Sequence, residues 1–225
     1  MPVLKNLGSP YTKNKYLNDV DSYYKSEDSV EKVIRYITRT RKNENRMDEL
    51  ISIGGCGVLT NNGVEEIIYQ FNQTQQIYDL DNRGGRRLYH ETYSFSDEEI
   101  YAIGDISLLD EIAFEICRYY YLQGYEAIYA IHYSEEKHFH IHIVHNSINF
   151  LTGRKYQQHW NDLIYKEMDL FNIVCHVYNK SNTIRRTNNV PIIPLYFYTK
   201  RNKGIPIEDD RYDAYKDYRY GYIAG

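Results

Sequence analysis

Residues 138–146 read HFHIHIVHN, an alternation of imidazole and apolar side chains that constrains the chain more than any other feature. On a β-strand successive side chains point to opposite faces. His138, His140, His142 and Val144 then share one face, while Phe139, Ile141, Ile143 and His145 share the other. The apolar face packs on a core and the opposite face presents a row of imidazoles. Upstream, EAIYAIHY followed by the polar run SEEK reads as a second strand joined by a tight connection. Pairing residue 132 with residue 138 would bring His132 onto the imidazole face, diagonal to His140. A slip of one residue would turn it away.

The remaining segments supply the layers such a strand needs. SEDSVEKVIRYITRT carries Ser and Asp caps ahead of Val30, Val33, Ile34 and Ile37 at helical spacing, which predicts a helix over roughly 28 to 40. A second helix is expected from Val64 to about Tyr78. Ser96 and Glu99 form a capping box for a third, running towards Gln123 and ended by Gly124. WNDLIYKEMDLFN, residues 160 to 172, predicts a further helix. Short strands are expected near Val3 to Lys5 and over 87 to 95, and the run Gly54-Gly55-Cys56-Gly57, which lacks a GKS or GKT, reads as a tight loop. The fold class is α+β, a central antiparallel sheet that carries the His-x-His strand, with helices on one face. At 225 residues one core suffices, so residues 1–187 are assigned to a single domain. Residues 188–225, rich in Pro, Tyr and charge without helical period, are assigned to a tail or small appendage.

Chemistry follows from residue types. Five of the eight histidines lie between His132 and His145. Three neutral imidazoles suit a divalent transition metal, which would polarise a phosphoryl or carbonyl oxygen. The plainer alternatives are surface histidines on a half-exposed strand or a structural zinc site. Cys56, Cys117 and Cys175 are too scattered for a zinc ribbon or a disulfide framework and read as buried thiols. A net charge of −4 argues against a general coat for nucleic acid, although Arg35, Arg39, Arg41, Lys42 and Arg46 leave room for a local basic site. Twenty-six tyrosines fit either base stacking or core packing. There is no run of 18 apolar residues, and the start MPVLKNLGSP is not a signal peptide, so no membrane insertion and a cytoplasmic location are expected.

AIHYSEEKHFHIHIVHNSINFLTGRKYQ resembles the metal-binding motif of the relaxases, or mobilisation nucleases, of conjugative plasmids and integrative elements. These are a branch of the HUH endonucleases, named for His-hydrophobic-His, here His140, Ile141 and His142. LYHETYSF resembles the family's His-containing strand, and EKVIRYITR resembles its first helix, whose tyrosine attacks DNA. The matches occur in family order over about residues 28 to 175. Ser134 stands where the family commonly has an acid, and His140 follows His132 one residue later than the family spacing. Glu135 or Glu136 could substitute for the acid, and His138 is the alternative ligand.

The resemblance implies a sheet with the His-x-His strand in its middle. It implies His132, His140 and His142 as metal ligands, with His90, His138 and Asn146 as candidates for supporting them. It implies Tyr36 as nucleophile, with Tyr23, Tyr24 and Tyr16 as fallbacks. At about 100° per residue Tyr36 falls roughly 110° from the centre of its helix's apolar stripe, so it flanks the core. Lys32 and Arg39 lie one turn to either side, where positive charge would favour the ionised phenol. Candidate DNA contacts are Arg39, Lys32, Arg87, Arg154 and Lys155, with Arg83 and Arg86 beside them; solvated turns are the default for such residues. The implied activity is nicking and rejoining of single-stranded DNA at a transfer origin through a 5′-phosphotyrosine. Mg²⁺ or Mn²⁺ is the implied ion, whereas three imidazoles alone would equally suit Zn²⁺. Accessory mobilisation proteins and a coupling protein are implied partners. The alternatives are a rolling-circle replication initiator or single-strand transposase, in which Tyr165 or Tyr178 would attack, and a metal-stabilised DNA-binding module without nuclease activity.

Overall fold

A computed structural model of the chain describes residues 24–40, 49–95, 97, 100, 103, 106–134, 138–157, 169, 170 and 172–180, together with the backbone of 3–7, 196–199 and 202–206. Five strands form one antiparallel sheet in the order β1-β3-β5-β4-β2. They are β1 (Val3–Leu7), β2 (Glu49–Cys56), β3 (Leu88–Ser94), β4 (Ala127–Ser134) and β5 (His138–Asn146). The His-rich strand β5 is central, paired with β3 on one side and β4 on the other.

The β4–β5 register places Ser134 opposite His138 and His132 directly opposite His140. The expected pairing of 132 with 138 is therefore displaced by two positions. Because a shift of two preserves the face, His132 still joins the imidazole side.

Helices pack on both faces of the sheet rather than one. On the imidazole face lie α1 (Ser29–Ile37) and α2 (Val64–Ile77). Val30, Val33, Ile34 and Ile37 of α1 meet Ile67, Ile68 and Phe71 of α2 over Leu88, Ile128, Ala130 and Val144 of the strands. Each such fully buried side chain contributes roughly 1.5–3 kcal/mol before entropy. A short turn of helix, α3 (Leu80–Arg83), follows α2. On the other face α4 (Ile106–Leu122) lays Leu109, Ile112, Ile116 and Tyr120 against Tyr93, Tyr129, Ile131, Ile141 and Ile143. The helical stretch 172–180 joins them there through Val174, Val177 and Tyr178. Two apolar faces demand two covers, and the alternation in β5 supplies one of them.

Two helix ends have specific causes. Gly124, at φ 90°, closes α4, with its N–H donating to the Tyr121 carbonyl and that of Tyr125 to Tyr120. The first helix stops at Ile37, short of residue 40, because Arg39 is left-handed at φ 57°. The Thr38 hydroxyl donates to the Ile34 carbonyl beside that stop.

Several expectations change. Gly54, Gly55 and Cys56 are not a loop but the end of edge strand β2. Gly54 pairs with Tyr129, whose phenol ring covers it so closely that a Cβ would lie 2.4 Å from the ring's outer atoms. The expected fourth helix is helical at 169, 170 and 172 and runs on to 180, past its expected end, while 158–168 lie outside the described residues, as do Ser96 and Glu99 of the capping box. In the C-terminal segment β6 (Tyr196–Thr199) and β7 (Asn202–Pro206) pair as a two-stranded antiparallel sheet.

The Gly54→Ala substitution should cost about 1–3 kcal/mol, the usual penalty of forcing a methyl into occupied space. Chemical denaturation should show the loss as a lower midpoint at unchanged slope; a wild-type midpoint would mean that Tyr129 moves aside freely.

Candidate metal and nucleophile site

The central hairpin delivers His132 from β4 and His140 and His142 from β5 to one place. One ring nitrogen from each lies within 4.8 Å of the others, and all three side chains are buried. The rings stand at 4.6 to 5.3 Å between centroids. Burial and mutual repulsion hold His142 well below the ordinary histidine pKa, so the ring is neutral at physiological pH. The rings of His90, His132 and His140 and the Arg39 guanidinium add to that effect in turn.

Hydrogen bonds define the tautomers, because a carbonyl only accepts and a guanidinium only donates. His132 donates from Nε2 to the Ile37 carbonyl at 2.6 Å, and its Nδ1 accepts from Arg39 Nη2 at 2.8 Å. His140 donates from Nδ1 to the His138 carbonyl at 3.2 Å. His142 Nδ1 lies 2.8 Å from His90 Nε2 and 3.4 Å from Thr92 Oγ1. The buried Nε2 of His142 has no hydrogen-bond partner among the described residues. An imidazole nitrogen in that condition costs free energy unless something electrophilic meets its lone pair. With the lone pair on Nε2, Nδ1–H donates to His90, whose own Nδ1–H then faces the Tyr24 hydroxyl at 3.2 Å. His90 must be neutral for this, and burial holds its pKa down to about 3. A ligand histidine whose second nitrogen is hydrogen-bonded has the arrangement found behind bound divalent ions. The donor set therefore fits a divalent ion.

Tyr36 stands over this cluster. It is half-buried on α1, with its ring 5.6 Å from that of His142 and 6.2 Å from that of His90. The Arg39 guanidinium lies 5.1 Å from the Tyr36 ring centre, a cation–π contact. The helix end thus brings Tyr36, the Ile37 carbonyl and Arg39 to the imidazoles together.

Other sequence candidates lie elsewhere. His138, at φ 56°, pairs with Asp97 at 2.9 Å and is not in the three-histidine group. Asn146 supports the fold rather than an imidazole: its amide donates to the Phe71 carbonyl and to Glu126 and accepts from Gln75, pinning β5 to α2 and β4. Lys32 pairs with Asp28, Arg87 with Asp81, and Lys155 donates to the Gly84 carbonyl. Arg83 reaches the Gly153 carbonyl at 2.7 Å, and Arg86 lies over the rings of Tyr24 and Tyr89. Arg154 is exposed. Arg35 is engaged by Glu31 and Glu65. Tyr24 is buried against His90, whereas Tyr16, Tyr23, Tyr165, Glu135, Glu136 and the basic residues from Arg41 to Arg46 lie outside the described residues. Sequence reasoning missed Thr92, which the strand period places on the same face as His90, and the link from Tyr24 to His90, which has no local signal.

A five-stranded antiparallel sheet whose central hairpin presents a His-hydrophobic-His pair and a third imidazole has the form of an HUH endonuclease. Residues 36–179 match the family model of the relaxase MobA/VirD2-like nuclease domain, and the chain belongs to that family. No match is found among curated proteins or among solved structures. The sequence resemblance and the family match thus agree on a relaxase-type DNA-nicking domain. No helix among the described residues is long and apolar enough to cross a membrane.

His90→Phe fills similar space but offers His142 no acceptor. It should weaken Mn²⁺ binding about 10- to 100-fold by titration calorimetry, the usual effect of removing a ligand's hydrogen-bond partner. Unchanged affinity with an intact circular dichroism spectrum would show that His90 does not orient His142.

Proposed function

We propose that the chain cuts one strand of DNA at a transfer origin by transesterification, with Tyr36 as nucleophile and His132, His140 and His142 as the ligands of a divalent ion. The observation that carries this reading is the placement of Tyr36 within ring contact of His142, on the half-buried rim of the three-imidazole cluster. A divalent ion held there supplies Lewis-acid stabilisation of negative charge on a non-bridging phosphate oxygen. The Tyr36 phenol gives up its proton and its oxygen bonds to phosphorus as the bond from phosphorus to the 3′ oxygen breaks, and the 3′ oxygen takes up a proton in turn, so none is consumed overall. The product is a 5′-phosphotyrosine and a 3′-hydroxyl. Because one phosphodiester replaces another, the reverse attack rejoins the strand without ATP.

His90 and the Ile37 carbonyl orient the ligands in this scheme, and Arg39 supplies positive charge beside the phenol. Lys32, Arg87, Arg154 and Lys155 remain candidate contacts for the flanking strand, Lys155 in a cationic neighbourhood that includes Arg83, Arg87 and Lys25. Mg²⁺ or Mn²⁺ is the proposed ion, and accessory mobilisation and coupling proteins are the proposed partners in the cytoplasm. Residues 1–187 are proposed as the nuclease domain and 188–225 as an appendage to it.

The main rival within the superfamily uses a tyrosine that follows the histidine motif. Tyr178 is buried in the core beneath α4, on the opposite face from the imidazoles, which favours Tyr36 over it.

Incubation with Mn²⁺ and labelled single-stranded origin DNA should give a covalent adduct mapping to Tyr36. Tyr36→Phe should bind Mn²⁺ normally and lose nicking by on the order of 10⁴-fold or more, as removal of a nucleophile does. An adduct on Tyr165 would instead establish the rolling-circle or transposase reading, and binding without any adduct would establish a non-catalytic module.

A further inference from the structure

The third imidazole carries a conflict. Its Nε2–H is committed to the Ile37 carbonyl, so Nδ1 is the nitrogen through which His132 can hold an ion. That same atom accepts a hydrogen bond from Arg39 at 2.8 Å. One lone pair cannot serve a guanidinium and a metal at once, and two cations sharing one buried cluster repel each other.

We propose that Arg39 is an exchangeable cation, which holds the ligand atom of His132 until a divalent ion takes that atom and is thereby released to the phosphate that Tyr36 attacks. The proposal rests on the metal-site reading above and adds to it a coupling between metal and DNA.

Three features of the residue support an exchange rather than a fixed structural contact. Arg39 lies beyond the end of α1, in a left-handed conformation that costs on the order of 1–3 kcal/mol for a residue other than glycine and persists where its surroundings compensate. The bond to His132 and the contact with the Tyr36 ring are such compensations. Its side chain is half-buried rather than sealed in the core. It also lies over the Tyr36 ring, 5.1 Å from its centre, so a guanidinium leaving His132 is already against the side chain that attacks. A planar guanidinium is also the side chain best suited to clasp a phosphate with paired hydrogen bonds.

The exchange makes metal and DNA help each other. Metal binding frees a phosphate donor, and phosphate binding draws the competitor off His132. By linkage each ligand must raise the affinity for the other by the same factor.

The test is a Mn²⁺ titration of the full chain by calorimetry, with and without a single-stranded origin oligonucleotide, for wild type, Arg39→Met and Arg39→Gly. The glycine variant suits the left-handed backbone and so guards against misfolding. Without DNA both variants should bind Mn²⁺ about tenfold or more tightly than wild type, since a charge-assisted hydrogen bond no longer competes. With DNA the wild-type affinity should rise, while that of the variants should change little. If the variants bind Mn²⁺ with wild-type or weaker affinity while wild type binds one ion, the exchange is wrong and the metal site stands. If neither wild type nor variants bind an ion, the metal-site reading fails and takes this proposal with it.

Discussion

Packing several imidazoles into one buried layer is possible only if each ring is neutral and its spare nitrogen is satisfied. A protonated ring there would lose its hydration and face other positive charge, and the depressed pKa values of His90 and His142 express that cost. Each N–H must find an acceptor. For His132 and His140 the acceptors are backbone carbonyls, and for His142 the acceptor is His90. Every one of those bonds leaves the ring's other nitrogen unprotonated, as a ligand must be. The bonds that let the histidines be buried are therefore the bonds that prepare them for a metal, and stability and function draw on the same atoms.

The end of α1 is part of this arrangement. Carbonyls in the last turn of a helix lack intrahelical partners. Had α1 continued to residue 40, the Ile37 carbonyl would have been engaged by the N–H of Arg41, and His132 would have lost its acceptor. The left-handed turn at Arg39 stops the helix early and leaves that carbonyl for the imidazole. It also points a helix C-terminus, the negative end of the helix dipole, towards a group of imidazoles that could hold a cation. Backbone geometry at one residue thus sets the acceptor, the local field and the position of the guanidinium.

Much of this was legible in the sequence because the signals were local. The period of two in β5 gave the strand and its face, and a parity argument survived an error of two in the pairing of β4 and β5. The apolar stripe of α1 set Tyr36 on the flank of its helix without any tertiary information, whereas its choice among the tyrosines came from the family resemblance. What escaped was set by other kinds of cause. The glycines at 54 and 55 look like turn residues, yet they sit in an edge strand because Tyr129 supplies from across the sheet the side chain that Gly54 lacks. Asn146 looked like support for the imidazoles, but its bonds are fixed by Phe71, Gln75 and Glu126, all distant in sequence. The early stop of α1 was invisible because arginine carries no propensity for a left-handed turn. The left-handed stop and the Arg39–His132 hydrogen bond appear only in three dimensions.

The tyrosines resolve the question their number raised, at least on the face away from the imidazoles. Tyr93 and Tyr120 donate to the carboxylate of Glu91, which is buried in the sheet, at 3.0 and 2.7 Å. Tyr120 also stacks on His145 at 4.1 Å, and Tyr89 on the same imidazole at 5.1 Å. Phenylalanine would pack as well but could not satisfy a buried acid, and burial beside that acid pushes both phenols well above their usual pKa, keeping them as donors. Tyr93 and Tyr120 are committed to the interior and cannot also stack on DNA bases. Of those beside the histidine cluster, Tyr24 is spent on His90, which leaves Tyr36 as the phenol half-exposed at its rim. The division follows from the sheet: one face uses aromatic hydroxyls to bury a carboxylate, and the other, among the described residues, holds imidazoles beneath the half-buried phenol of Tyr36. A chain rich in tyrosine can therefore keep the phenol proposed to react distinct by burial and hydrogen bonding rather than by residue type.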